Sequence, residues 1–142
     1  MCGILVLDKD TKDVLSASER LTARGPDATK ELIIDDYLFI FKRLAIMDLE
    51  ETGMQPFEHN TNVLIANAEI FNYKQIKSEL TDYTFKGNSD CEVLLPLYQI
   101  LKTEMFQFLD GEFAIVLYDK EQQSIIAARD AIGIRPLFYG YD

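Results

Sequence analysis

Short apolar runs bounded by turn residues are the feature that most constrains the fold of this chain. The runs Gly3–Asp8 and Val63–Ala66 are typical of buried strands. A second pair, Leu32–Ile34 and Tyr37–Asp48, predicts a hairpin closed by two aspartates. In the longer run the apolar residues share one parity, which predicts a strand with one buried face; they are Leu38, Ile40, Leu44 and Ile46.

Three further strands are predicted towards the end of the chain. Glu112–Asp119 and Ser124–Arg129 read as antiparallel neighbours joined by a short polar turn. Arg135–Tyr141 is rich in aromatic residues and predicts a last strand. The intervening segment Glu50–Asn62 contains glycine and proline and is predicted to be a loop.

Three helical segments are predicted between these strands. The first covers Asp13–Arg24 and ends at a Gly-Pro pair. The second begins after Asn72, and the third begins after Ser89, where Glu92 completes a capping box. Pro96 lies inside the third segment and is expected to kink it. Because strands outnumber helices and are grouped by type, the order predicts sheets packed against helix layers rather than a βαβ repeat.

The composition is that of one soluble globular domain. The chain has 142 residues, 48% hydrophobic and 27% charged, with a formal net charge of −10. So acidic a surface argues against nucleic-acid binding, which needs clustered Lys and Arg. The sequence has no apolar run of about 18 residues and no basic leader. Its two cysteines make no disulfide framework, so we expect a cytoplasmic protein that does not bind membranes.

Cys2 offers the most direct route to chemistry. If Met1 is removed after synthesis, the Cys2 thiol and a free α-amine lie on one residue, and the amine can act as the base for the thiol. Their reference pKa values, about 8.5 for a thiol and about 7.7–8 for an α-amine, allow the proton to pass between them near neutral pH. His59 is the only histidine and lies in a polar segment, so dyads of His59 with Cys2 or Cys91 are disfavoured. Cys91 itself is expected to be a core residue.

Four polar residues are candidates for the surroundings of such a thiol. Arg43 could pair with a carboxylate, whereas Glu69 and Asp90 could bind an ammonium group. Asn67 ends an apolar run, where its side-chain amide and a neighbouring backbone N–H could stabilise an oxyanion. This charge set suits a free amino acid. Each residue also has a structural interpretation, as a surface arginine, a strand-end turn or a carboxylate that compensates a helix dipole, and spacing alone does not bring them together.

Several short blocks, in order over essentially the whole chain, strengthen the functional interpretation. They are Met1-Cys2-Gly3-Ile4, Arg24-Gly25-Pro26-Asp27, Arg43-Leu44-Ala45-Ile46-Met47-Asp48-Leu49, Gly53-Met54-Gln55-Pro56-Phe57, Asn67-Ala68-Glu69-Ile70-Phe71-Asn72-Tyr73, Ser89-Asp90, Leu109-Asp110-Gly111-Glu112-Phe113-Ala114, Ala128-Arg129-Asp130 and Gly133-Ile134-Arg135-Pro136-Leu137-Phe138-Tyr139. Together they resemble the glutaminase domain of class II glutamine amidotransferases. The Arg-Gly-Pro-Asp block and the Gln-Pro pair favour the asparagine synthetase branch over the sugar-phosphate and phosphoribosyl branches.

The resemblance implies an α+β fold of the N-terminal-nucleophile hydrolase type. In that fold two mostly antiparallel sheets lie between helix layers, as a four-layer αββα sandwich. Residues 1–142 would form one glutaminase domain, truncated at its C-terminal end and without the family's synthetase domain. ATP and Mg²⁺ would belong to that missing domain. The chain has no Walker-type loop, Rossmann glycine set or similar phosphate loop, so we expect no cofactor and no metal site in it.

The resemblance also implies residue roles. Cys2 would attack the side-chain amide of L-glutamine, while Asn67 and the N–H of Ala68 would stabilise the oxyanion. Glu69 and Asp90 would hold the α-ammonium group of the substrate. The α-carboxylate would be held by a guanidinium and backbone groups of Arg43, Leu44, Ala45, Ile46 and Met47. Ammonia would pass to a synthetase domain, in cis or in trans, that converts aspartate to asparagine; a homodimer is compatible with the sequence.

Two departures from the family pattern leave a second hypothesis open. Position 68 is usually glycine in this motif, and Ala68 would be strained by about 1 kcal/mol if the backbone there needed a positive φ. The chain also ends directly after the predicted aromatic strand. A catalytically weak or inactive docking or regulatory domain would fit both observations. A third hypothesis, hydrolysis of another amide, is disfavoured by the amino-acid-like charge set.

Overall fold

The strands form two antiparallel sheets. The computed structural model describes residues 1–141. One sheet has three strands in the order β1-β3-β2, which are Gly3–Asp8 (β1), Ala28–Ile34 (β2) and Tyr37–Arg43 (β3). The other has four strands in the order β4-β5-β6-β7, which are Phe57–His59 (β4), Asn62–Ile70 (β5), Gly111–Asp119 (β6) and Ser124–Arg129 (β7).

The helices are short and lie outside the two sheets. They are Val14–Glu19 (α1), Tyr73–Glu79 (α2) and Leu94–Leu101 (α3). Tight 3-10 turns cover Thr22–Arg24, Glu51–Gly53, Asp90–Val93 and Lys102–Gln107. Within residues 1–141 none of the helices is long and apolar enough to cross a membrane.

Two apolar cores hold the layers together, one between the two sheets and one between the four-stranded sheet and its helices. Between the sheets, Phe39 and Phe41 of β3 pack with Val63 and Ile65 of β5. On the other side of the four-stranded sheet, a second core joins its outer face to α2 and α3; its fully buried members include Leu64, Leu94, Tyr98, Met105, Ile115 and Leu117. Leu21, after α1, packs against Gly3 of β1. The layers therefore run helix, sheet, sheet, helix, which confirms the α+β sandwich expected from the resemblance.

Three strand predictions were wrong in detail. β3 ends at Arg43 rather than Asp48. Residues 38–43 are all buried, so both faces of the strand are covered, whereas the alternation of its apolar residues had predicted one buried face. Ile46 lies beyond the strand with its side chain 71% exposed. Arg135–Tyr141 forms no strand; the Arg135 N–H is bound to Asp130, and Pro136 has no N–H to give to a neighbouring strand. β4 lies inside the segment predicted as a loop.

The predicted helix ends also differ from the observed ones. α1 stops at Glu19, and a separate 3-10 turn completes the predicted segment. Asn72 precedes α2 without capping it, because its side chain bridges Phe108 O and Asp110 N at 2.8 and 3.1 Å.

The predicted capping box after Ser89 is only half formed. The Ser89 hydroxyl accepts a hydrogen bond from Cys91 N, but the Glu92 carboxylate accepts from the N–H groups of Lys86 and Gly87 instead. Pro96 falls in the first turn of α3. The N–H groups of a first turn make no hydrogen bond within the helix, so a proline is tolerated there without a kink.

Asp130 organises the turn that follows β7. Its carboxylate accepts hydrogen bonds from the backbone N–H groups of Phe113, Gly133, Ile134 and Arg135 at 2.6–3.1 Å. Burial raises the pKa of this carboxyl group, but the four N–H donors outweigh burial and hold the pKa well below its ordinary value. The ionised carboxylate thus sets the conformation of residues 130–135.

We expect Asp130→Asn to lower the midpoint of thermal unfolding, on the order of 5 °C or more. An asparagine amide turns an N–H₂ group towards donors that need an acceptor. Because the folded pKa is depressed, the stability supplied by Asp130 is complete above the ordinary aspartate pKa and is lost as the pH falls below about 4. Unfolding curves between pH 3 and pH 7 should converge for the two proteins in acid. Equal midpoints at neutral pH, or an equal drop in the exposed variant Asp82→Asn, would contradict this role.

Candidate active site

The residues predicted to act on a substrate line one cavity of about 140 Å³. They are Cys2, Arg43, Leu44, Ile46, Met47, Asn67, Ala68, Glu69 and Asp90. The cavity is smaller than the ~300–1,000 Å³ typical of sites for drug-sized ligands, so it suits a small metabolite. No group of three or more His, Cys, Asp or Glu side chains among residues 1–141 is arranged to hold a metal ion.

The Cys2 thiol lies at the end of the three-stranded sheet. Because Gly3 pairs with Lys42 across β1 and β3, Cys2 lies beside the end of β3. The Leu44 N–H donates to Cys2 Sγ over 3.4 Å, and the thiol lies 3.7 Å from the Leu44 carbonyl oxygen. Met1 also lines the cavity, so its removal would both free the Cys2 amine and widen the site.

The Arg24-Gly25-Pro26-Asp27 block supports the site from outside. Arg24 Nε donates to the Cys2 carbonyl oxygen over 3.3 Å. Asp27 Oδ2 accepts a hydrogen bond from Ala45 N at 2.8 Å. That bond anchors the segment after β3, and Ala45 is the one predicted substrate-binding residue that does not line the cavity.

Arg43 is buried at the end of β3 and combines two contacts. Its guanidinium donates to the carbonyl oxygens of Glu50, at 2.9 Å, and Asp48. These bonds hold the loop that follows β3 against the cavity. A guanidinium carries five N–H donors, so others remain for a carboxylate in the cavity that Arg43 lines.

The N–H of Ala68 points away from its neighbouring strand. Ala68 is opposite Phe113 across β5 and β6, but both backbone groups of Phe113 bond to Asp130. Ala68 and Phe113 therefore form a non-hydrogen-bonded pair, which turns the Ala68 N–H towards the open edge of β5 and the cavity. The Asn67 side chain is buried and lines the same cavity.

The backbone at Ala68 does not need glycine. Ala68 lies within β5, and the non-glycine residues with positive φ among residues 1–141 are Asp13, Asp35, Asp48, Asn60, Lys102 and Gln123. The condition under which alanine would be strained here is therefore not met.

Asp90 supports the structure of the site more directly than the sequence predicted. Its carboxylate is buried, and Oδ2 accepts a hydrogen bond from Ile70 N at 2.7 Å. Burial raises the pKa of this carboxyl group, while backbone N–H donors oppose the rise. Asp90 lines the cavity and also holds the end of β5.

Glu69 is the more open carboxylate of the site. Its side chain is 58% exposed, and Oε2 lies 3.6 Å from Nη2 of Arg135, which also pairs with Glu112. Sequence reasoning missed Arg135 as a residue of the cavity, although it lies in the Gly133–Tyr139 block. Only the turn around Asp130 brings it there.

Gln55 was also missed as a residue of the site. It is 4% exposed, lines the cavity, and its side-chain amide bonds to both backbone groups of Ala66. Its position in the Gly53–Phe57 block was the only sequence signal, and that signal carried no role.

The two stacked sheets and the cavity beside the Cys2 thiol are those expected of a class II glutamine amidotransferase domain. Comparison with known proteins confirms the family. The family model described as a glutamine amidotransferase domain matches residues 1–142, and the chain belongs to this family.

The curated proteins reported next, all similar to this chain, carry the name of one branch of the family, the glutamine-hydrolyzing asparagine synthetases. The chain is 42% identical to a probable glutamine-hydrolyzing asparagine synthetase of Acanthamoeba polyphaga mimivirus, over 100% of the chain and 28% of that protein. A protein of the same name from Dictyostelium discoideum is 40% identical over 99% of the chain and 27% of its own length. Glutamine-hydrolyzing asparagine synthetase 1 of Saccharomyces cerevisiae is 38% identical over 99% and 26%. The chain thus spans about a quarter of the length of these relatives.

Proposed function

We propose that this chain is the glutamine-hydrolysing unit of an asparagine synthetase, which releases ammonia from L-glutamine and leaves glutamate. One observation carries the proposal. The Cys2 thiol, the Asn67 amide and the Ala68 N–H, which has no partner on β6, share one small cavity. A nucleophile beside two hydrogen-bond donors is the arrangement that amide hydrolysis through a tetrahedral oxyanion requires.

The reaction proceeds in two stages on Cys2. After Met1 removal, the thiol proton passes to the α-amine while sulfur bonds to the amide carbon, and the carbonyl oxygen becomes an oxyanion held by Asn67 and Ala68. The carbon–nitrogen bond then breaks, and the amine returns its proton to the leaving ammonia. Water attacks the thioester with the amine again as base, the carbon–sulfur bond breaks, and glutamate leaves.

The charges around the cavity suit the other end of glutamine. Arg43 donors remain available for the α-carboxylate, and the open Glu69 carboxylate can bind the α-ammonium group. Arg135 forms an ion pair with the Glu69 carboxylate at 3.6 Å, and Asp90 contributes a second, buried carboxylate. Carboxylates for an ammonium group and Arg43 for a carboxylate, around one small cavity, favour a free amino acid over a simple amide.

The rest of the reaction belongs to a synthetase part, joined to this chain in cis or bound in trans. The relatives are about four times as long as this chain, which leaves room for such a part. ATP, Mg²⁺ and aspartate would act there, with no cofactor in the chain described here. Both cysteines are free, and a thiol nucleophile stays reduced in the cytoplasm, where we place the activity.

The alternative of an inactive docking domain has lost its main support. Of the two observations behind that hypothesis, the chemical one was strain at Ala68, and the backbone of β5 requires none. The alanine keeps the N–H that an oxyanion needs.

A covalent probe tests the proposal directly. The full-length protein is treated with a diazo-ketone analogue of glutamine, and its mass is measured intact and after digestion. We expect loss of the Met1 mass and one adduct on Cys2, with glutamine protecting against it. Cys91 is the internal control, because it is the second thiol and only 4% exposed. A processed Cys2 that takes no adduct, in a protein that releases no glutamate from glutamine, would refute the proposed function.

A further inference from the structure

The side chain of Gln55 pairs with the edge of β5 as a neighbouring strand would. Its Nε2 donates to the Ala66 carbonyl oxygen over 3.2 Å, and its Oε1 accepts from Ala66 N at 2.6 Å. Both contacts are buried. A primary amide offers one donor and one acceptor at the spacing of a peptide group, so Gln55 satisfies both backbone groups of one residue.

The other residues along this edge of β5 have partners of a different kind. β4 pairs with the start of the strand, where Phe57 is opposite Leu64. Beyond β4, Gln55 pairs with Ala66, and the Asp90 carboxylate accepts from Ile70 N at 2.7 Å. Side chains thus replace the missing strand at alternate positions.

Ala68 lies between these two side-chain partners. Its carbonyl oxygen lies 3.9 Å from the Cys91 thiol, and its N–H faces the cavity. Alternate residues of a strand turn their backbone groups to the same edge, so Ala66, Ala68 and Ile70 form one series. The direction of the Ala68 N–H therefore follows from how firmly its neighbours in the series are held.

We propose that Gln55 is a positioning residue, which fixes β5 so that the Ala68 N–H and the Asn67 side chain point at the oxyanion. The inference rests on the proposed function of the site. Gln55 touches no reacting atom in this role; it acts through the backbone of Ala66. Because β5 has no neighbouring strand beyond β4 at this edge within residues 1–141, loss of the amide pairing would leave the segment before Ala68 held by β6 alone and able to twist.

An oxyanion donor must be aimed before the reaction begins. Removal of one such donor lowers kcat by about 10²–10³-fold. A donor that is displaced rather than removed still stabilises the oxyanion, but less strongly. Because the oxyanion forms only in the transition state, the loss affects the transition state and not the binding of substrate. Variants at Gln55 should therefore lower kcat while the KM for glutamine changes little.

Two substitutions separate the two hydrogen bonds. Gln55→Met fills similar volume but makes neither bond, and we expect it to lower kcat about 10²-fold. Gln55→Glu keeps an acceptor for Ala66 N, but its ionised carboxylate faces the Ala66 carbonyl oxygen. Only the protonated acid can donate to that oxygen. The ratio of its kcat to that of the unchanged protein should therefore rise as the pH falls.

The decisive measurement compares kcat with the affinity for a glutamine analogue whose amide is replaced by an aldehyde. The aldehyde forms a tetrahedral adduct with Cys2, so it needs the same oxyanion donors. We expect its affinity to fall in parallel with kcat in both full-length variants, while competition by glutamate is unchanged. Gln122→Met, in an exposed turn, is the matched control.

The outcomes distinguish this inference from the proposed function. If the unchanged protein hydrolyses glutamine and Gln55→Met does so equally well, the positioning role is wrong and the proposed function stands. A rise in KM with unchanged kcat and unchanged aldehyde affinity would also overturn it. If Gln55→Met does not fold, the pH-dependent ratio of Gln55→Glu decides, and a flat ratio overturns the role. No glutamate release by the unchanged protein would refute the proposed function instead.

Discussion

Replacing Cys2 with alanine is expected to abolish glutamine hydrolysis, with a fall in kcat of at least about 10⁴-fold. The cavity offers one other thiol, Cys91, and that thiol is buried against the carbonyl oxygen of Ala68. Burial raises the pKa of the Cys91 thiol well above its ordinary value, so it cannot supply a thiolate near neutral pH. Glutamate release by the full-length protein is the measurement.

The fold should not depend on the Cys2 sulfur. Its polar contacts are two long ones to the backbone of Leu44, at 3.4 and 3.7 Å, so the thermal midpoint and the binding of glutamine should change little. A Cys2→Ala protein that keeps more than about a hundredth of the original kcat, with Met1 removed in both, would show that another group makes the covalent bond.

Insertion of one glycine between Met1 and Cys2 is expected to lower kcat by about 10²–10⁴-fold, the usual contribution of a positioned general base. After removal of Met1 the thiol stays on the same carbon, but the free amine moves away by one residue, about 3.8 Å along the chain. The thiol is then still present without the base that the mechanism assigns to it.

The insertion needs a control for the thiol and for processing. Mass spectrometry must show glycine as the new N-terminus, and a small alkylating reagent should still label Cys2 in the unfolded protein. Unchanged hydrolysis by this variant would mean that the α-amine is not the base. Loss of Met1 widens the cavity in either case, because Met1 is one of its lining residues.

Local pattern was enough to place three strands closely. β1 has the predicted bounds, and the pair β6 and β7 was placed within one residue at each end. The turn between β2 and β3 falls at Asp35, which adopts a positive φ of 51°. Aspartate tolerates that conformation, so the residue types at positions 35 and 36 are sufficient to predict the turn.

The failures share one cause, which is a partner that is remote in sequence. The apolar parity of β3 suggested one buried face, but the second sheet and the segment after α1 cover both. The Asn72 side chain was assigned to its own helix, yet it bonds to Phe108 and Asp110, more than 30 residues away.

The sequence by itself determined the candidate nucleophile, the inventory of charges around it and the positions of most strands along the chain, because each depends on residue type and short-range periodicity. Tertiary structure alone decided which backbone groups stay free for chemistry. The Ala68 N–H faces the cavity because Phe113 is committed to Asp130, and because Gln55 and Asp90 occupy the positions on either side. Strand register and side-chain pairing at an edge arise from contacts between distant segments, and no local pattern encodes them.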